Sequence, residues 1–174
     1  MSTKWQKTQI AISKRYTPIE RIAIAQDVID YIVDRTKAGK GPGNKNWSGK
    51  AGQYSDAYKK SLPFRASGKS SAVNLKLSGD MLSALTILNE TSGKVVVGFE
   101  NGTTENGKAD GNIRGTYGTS KENSAKARPF LDLTNAELKK ILANYPVTNR
   151  AESIAQAQGV VEAGDIAQEF IDGE

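Results

Sequence analysis

The 174-residue sequence contains no cysteine and no histidine. Those two absences exclude disulfides, thiol nucleophiles, Cys/His zinc sites, Ser-His-Asp triads and histidine acid–base chemistry. Catalysis, if any, would fall to carboxylates, Lys, Ser or Tyr. No apolar run approaches the roughly 18 residues that a membrane span needs. Met1–Tyr16 has basic residues but only short apolar pieces, so neither a secretory signal nor a membrane partner is expected, and the chain is expected to be soluble where it is made. Hydrophobic residues make up only 37% of the chain, polar for a globule yet too many for a wholly disordered one. The length favours one domain with extensions, able to bury a core without covalent staples.

Charge is plentiful and unevenly spread. Up to Asn149 there are 23 basic and 13 acidic residues; from Arg150 onward there is one basic residue against six acids. A basic body with an acidic tail suits either a polyanion partner or self-complementary association; a solvated surface is the plain alternative.

Local signals place several elements. Ile10 and Ile12 face one way in a weakly alternating stretch, 4–16, which reads as a short strand or an ordered arm. Thr17-Pro18-Ile19-Glu20 is a capping box with proline at the first helical position. Ile22, Ala25, Ile29, Ile32 and Val33 follow at three- and four-residue spacing, predicting an amphipathic helix over 18–38 that Gly39 stops. Val73, Leu75 and Leu77 alternate as a half-buried strand, and Gly79 turns it into a short helix carrying Met81, Leu82, Leu85 and Leu88. Lys94–Glu100 is a β-rich run ending at Asn101-Gly102. Pro129 suits a strand start or edge, with Phe130 and Leu131 anchoring it to the core. Thr134 and Glu137 form a second capping box, before a helix buried through Leu138, Ile141 and Leu142. After Arg150, an imperfect stripe of Ile154, Ala157, Val161, Ile166 and Phe170 predicts a marginal helical extension. The fold class is α+β: a small, mostly antiparallel sheet flanked by the N-terminal helix and a second helix. Domain organisation is one unit over 1–149 and an acidic extension over 150–174.

Two polar, glycine-rich stretches, 39–72 and 101–127, read as long loops. The first holds Trp47, Tyr54, Tyr58 and Phe64 among basic residues, with a short helix near Ser55–Leu62. Basic residues interleaved with aromatics suit nucleic-acid contact; the favoured alternative is a loop ordered by its neighbours, its aromatics serving as anchors. In the second stretch, Asn106-Gly107 and Asp110-Gly111 read as turns, no periodic helix supports a phosphate cradle, and Glu105 with Asp110 lacks calcium-loop spacing. Asp80 reads as a helix-start acid. Lys76, Ser78 and Asp80 are close in sequence, but strand alternation turns neighbours to opposite faces. No catalytic, cofactor-binding or metal-ligating residue is assigned, and the chain is read as a non-enzyme.

Three pieces, in order, carry a resemblance: Val73–Leu85 (VNLKLSGDMLSAL), the β-run Lys94–Phe99 with the glycine-rich stretch after it, and Lys126–Leu142 (KARPFLDLTNAELKKIL). With Gln53–Tyr58 (QYSDAY), they make residues 17–145 similar to the tailed-bacteriophage virion-morphogenesis proteins, which include tail-completion and head–tail joining proteins. The resemblance implies a structural virion protein at the head–tail junction, assembled in the host cytoplasm as a sixfold or twelvefold ring. It also implies contacts with portal-side, neck and tail-side proteins and with DNA in the channel. Candidate contacts are Trp47, Tyr54, Tyr58, Phe64, Arg114, Tyr117, Arg128, Phe130, Ile166 and Phe170, with Arg128 expected to pair with an acid on a neighbouring subunit or to stand solvated. The acidic tail would dock on the basic face of an adjacent copy. The alternative function is a free, basic nucleic-acid-binding protein.

Overall fold

A computed structural model describes residues 3–67, 73–75, 80–116 and 121–146. Its elements are β1 (Lys7–Ala11), α1 (Pro18–Lys37), β2 (Lys40–Gly41), β3 (Lys45–Asn46), α2 (Asp56–Lys59), α3 (Leu62–Ala66), α4 (Asp80–Ser83), β4 (Thr86–Thr91), β5 (Lys94–Gly98), α5 (Thr104–Ile113) and α6 (Asn135–Leu142). The architecture is α+β, with a small antiparallel sheet, an N-terminal helix and a second helix.

Thr17 caps α1 through a complete capping box with Glu20, and Gly39 follows the helix at φ 77°, the left-handed conformation that suits a helix end. The helix lays Ile24, Ala25, Val28, Ile29 and Ile32 over the sheet. Each buried isoleucine or valine among them contributes about 1.5–3 kcal/mol. Ile22 departs from the expected face: it lies off the Ile24–Val28–Ile32 row and is 50% exposed, as is Ile19 at 81%.

The described strands form one sheet in the order β1-β5-β4 and a separate two-stranded hairpin, β2-β3. Central β5 (KVVVG) buries Val95, Val96, Val97 and Gly98. It pairs with β1 in the register Ile10↔Val95 and Lys7↔Gly98, and with β4 through a bulge between Ile87 and Asn89. Leu88 therefore sits on a strand: α4 ends at Ser83, and the chain is extended again by Thr86.

The expected strand over 73–77 is absent across its described part. Val73 is buried beside Gly39, where an added Cβ would lie 3.0 Å from the Val73 carbonyl oxygen, and Leu75 adopts φ 51°. Lys76, Leu77, Ser78 and Gly79, and the stripe from Ile154 to Phe170, lie outside the described residues.

Residues 128–133 form no strand either. The Phe130 N–H donates to the Arg128 carbonyl at 2.7 Å and the Asp132 N–H to that of Pro129 at 3.3 Å, so the backbone curls. It curls around a cation, because Arg35 donates through Nη2 to the carbonyls of Phe130 at 2.6 Å and Asp132 at 2.8 Å. Phe130 and Leu131 still anchor the segment, both fully buried, with Phe130 edge-on to Phe99 at 6.2 Å between ring centroids.

The largest correction concerns 101–127. Thr104–Ile113 is a helix, with Thr103 Oγ1 accepting from the Asn106 N–H at 3.1 Å. Asn106-Gly107 and Asp110-Gly111 are helical turns within it. Its buried face is Asn106, Ala109, Asp110 and Asn112, so no apolar period marks it. Polar bonds replace apolar packing there. Asn106 accepts from the Gln6 N–H at 2.7 Å and donates to the Lys4 carbonyl at 3.0 Å, while Asp110 accepts from Gln6 Nε2 at 2.9 Å.

Candidate functional site

The 39–67 excursion is built from short capped pieces. The β2-β3 hairpin turns through Pro42-Gly43-Asn44, with Gly43 at φ 69° and Asn44 at φ 59°. Ser55 and Ser61 cap α2 and α3 by accepting from the Tyr58 and Phe64 N–H groups. Tyr54, Tyr58 and Phe64 then meet as a triangle, with centroids 5.2–5.4 Å apart and tilted or edge-on rings. Phe64 is buried and the two tyrosines half-buried, so these aromatics serve as anchors for the loop. Lys45, Lys50, Lys60 and Arg65 remain exposed around them.

Arg128 fixes this excursion to the body. Its Nε donates to the Ala51 carbonyl at 2.7 Å, Nη2 to the Gln53 carbonyl at 3.2 Å and Nη1 to Asn112 Oδ1 at 3.0 Å. One guanidinium thus joins loop, α5 and the R-P-F-L stretch through three bonds within the chain. Burial pushes its pKa down, opposed by the nearby Tyr54; arginine stays charged regardless.

Trp47 is half-buried, and its ring edge lies on Gly41, where an added Cβ would come within 2.6 Å. Its indole N–H is buried and has no hydrogen-bond acceptor. An unpaired buried donor costs about 1–3 kcal/mol. Beside it opens a groove of about 420 Å³, formed by Gly41, Pro42, the stretch from Lys45 to Ala51, Ser124, Ala125 and Ala127. Among the described residues, two lysines and no carboxylate line it.

The other candidate contacts divide. Arg114 pairs with Asp110 at 3.1 Å and with Glu122 at 2.7 Å; burial is the largest single effect and lowers its pKa, but the two acids together outweigh it and the pKa is raised. Phe130 is fully buried in its own core, which removes it from the surface. Tyr117, Ile166 and Phe170 lie outside the described residues.

Sequence reasoning passed over the α1–α6 contact. Arg35 Nη1 meets Glu137 Oε1 at 2.9 Å, with both residues buried, and the Tyr31 hydroxyl donates to the same carboxylate at 3.1 Å. Burial opposes the Glu137 charge most strongly, yet the backbone N–H groups of Thr134 and Gly43 and the Arg35 guanidinium together outweigh it and hold the pKa at about 2. The visible signal was the Thr134–Glu137 capping box; its extension to Arg35 and Gly43 had none. Among the described residues, no group of three acidic side chains is placed to hold a metal ion, and no helix is long and apolar enough to cross a membrane. Compared with protein-family models, curated proteins and solved structures, the chain has no significant match to any.

Proposed function

We propose that the chain is a structural virion protein of a tailed phage, assembling as a ring at the head–tail junction and touching portal-side and tail-side proteins. The observation that carries this reading is the clamped state of the 39–67 excursion. Arg128 and the aromatic triangle hold it in one conformation while its lysines point outward. A prearranged, basic platform loses little entropy on docking, which is what a repeated subunit contact needs. The motif residues behind the resemblance also have framework tasks: Arg128 staples, while Phe130 and Leu131 fill the core. A basic body and an acidic tail on one chain provide the unlike surfaces of a heterologous ring contact.

A free nucleic-acid-binding role has less support. Tyr54, Tyr58 and Phe64 pack against one another instead of standing apart as stacking platforms for bases. Two measurements decide the matter. Native mass spectrometry of the full chain is expected to show a closed oligomer, sixfold or twelvefold, and proteomics of purified particles is expected to find the chain. A monomer at all concentrations, or absence from particles, overturns the reading.

A further inference from the structure

We propose that the groove beside Trp47 receives residues 150–174 of a neighbouring copy, an inference that rests on the ring reading. Three observations carry it. The first is charge: Lys45 and Lys50 line the groove with no carboxylate among its described walls, while residues 150–174 hold Glu152, Glu162, Asp165, Glu169, Asp172 and Glu174 against a single Arg150. The second is shape and polarity. A volume of about 420 Å³ walled by Pro42, Trp47, Ala51, Ala125 and Ala127 accepts an apolar side chain with a few residues of peptide, not a duplex. Residues 150–174 supply such side chains beside acids, Ile166 next to Asp165 and Phe170 next to Glu169.

The third is where the chain leaves the fold. Tyr145, the last residue but one of the described segment, is held at the middle of α1 and beyond β1: its hydroxyl donates to Asp27 Oδ2 at 2.8 Å, and its carbonyl accepts from the Tyr16 hydroxyl at 3.2 Å. The groove lies past the other end of α1, and its hairpin touches the start of α6, where a Cβ on Gly43 would stand 3.6 Å from Thr134 Cγ2. From Asp27 to Lys37 alone the helix rises about 15 Å. The last described residues and the acceptor groove are thus separated along α1. In a head-to-tail ring that arrangement brings the tail of one copy to the groove of the next.

The test uses the full chain, mixed in equal parts as unlabelled and ¹⁵N-labelled protein, treated with a zero-length carbodiimide and mapped by mass spectrometry. Links from Lys45 or Lys50 to carboxylates in 150–174 are expected, carrying both isotopes. The double variant Lys45→Glu/Lys50→Glu changes exposed residues only; it also removes the amines that would link, so it is read by native mass, where juxtaposed like charges should cut the oligomer fraction about tenfold. Reversing Glu162, Asp165 and Glu169 to Lys in the same chain should restore assembly of that variant. Links of one isotope only mean that the tail folds onto its own body, and the proposal falls. Tail links that avoid Lys45 and Lys50 also overturn it, and if the oligomer mass is unchanged the ring reading stands without it. A monomeric mass without mixed links overturns both. If a single-stranded oligonucleotide displaces the tail links and shields Lys45 and Lys50 above other lysines, the groove is a nucleic-acid site and the proposal is wrong.

Discussion

Arg35 and Glu137 are separated by 102 positions in sequence and meet where neither reaches bulk water. Arg35 Nε is buried there without an acceptor, so the pair is not fully satisfied, yet losing one partner would strand the other. Glu137 has a pKa of about 2 in the fold against an ordinary 4.5. A depressed carboxylate contributes stability above its unfolded pKa and loses it as pH falls through the folded one. Urea unfolding is therefore expected to show a loss of roughly 3 kcal/mol between pH 5 and pH 2 from this group. Glu137→Gln should flatten that slope and cost about 3–5 kcal/mol at pH 7. At Trp47 the expectation runs the other way. Trp47→Phe keeps the ring on Gly41 but deletes the unsatisfied donor, so Tm should hold or rise, whereas Trp47→Ala should lower it by emptying the contact. Capping residues were legible at this scale because Thr17 and Thr134 bond within three residues. Glu137's second task was not, since its partner is fixed only by the packing of α6 on α1.

At the scale of elements, the caps and apolar stripe of α1 and the valine run of β5 stood out because local propensity and burial agree there. Helix α5 hid for the opposite reason. Its buried side chains are polar, and Gly107 and Gly111 lie inside it. Hydrophobic spacing cannot report a face that is satisfied by Gln6, Lys4 and Arg128. The Thr103 cap, with Asn106, Asp110 and Arg114 at four-residue steps, was the remaining trace. Glycine in a helix interior costs roughly 1 kcal/mol relative to alanine. A Cβ on Gly107 meets nothing within 4 Å, so Gly107→Ala should raise Tm by a few degrees in a thermal melt. Gly115→Ala should do the reverse, by more than about 1 kcal/mol. Gly115 holds φ 67°, and the new Cβ would lie 2.2 Å from the Asn123 carbonyl oxygen.

For the whole molecule, the charge division sets the expectation for assembly. If unlike charge joins the copies, raising salt from about 0.1 M to about 1 M, where the Debye length falls from ~10 to ~3 Å, should dissociate them in sedimentation velocity. An oligomer of constant size would mean that apolar contact, not charge, holds it. A small antiparallel sheet with an N-terminal and a second helix could be read from the sequence, though not strand β4; the groove could not, because its walls come from segments over 70 residues apart that Arg128 helps to hold together.

Strand β1 has a further consequence, for the order of events during synthesis. Every partner that fixes it comes late: Gly98 through Lys94 in the sheet, Asn106 for the Gln6 amide, and the Leu131 carbonyl for the Thr8 hydroxyl. At about 5–20 residues per second, the ribosome takes roughly 4–17 s to deliver residues 12–98, where β5 ends. Through that interval Ile10 and Ile12 have no sheet to enter, and the nearby Lys4, Lys7, Lys14 and Arg15 keep the waiting segment soluble. The first strand made thus cannot be seated until β5 is present, and its flanking Gln6 then meets α5 through Asn106 and Asp110.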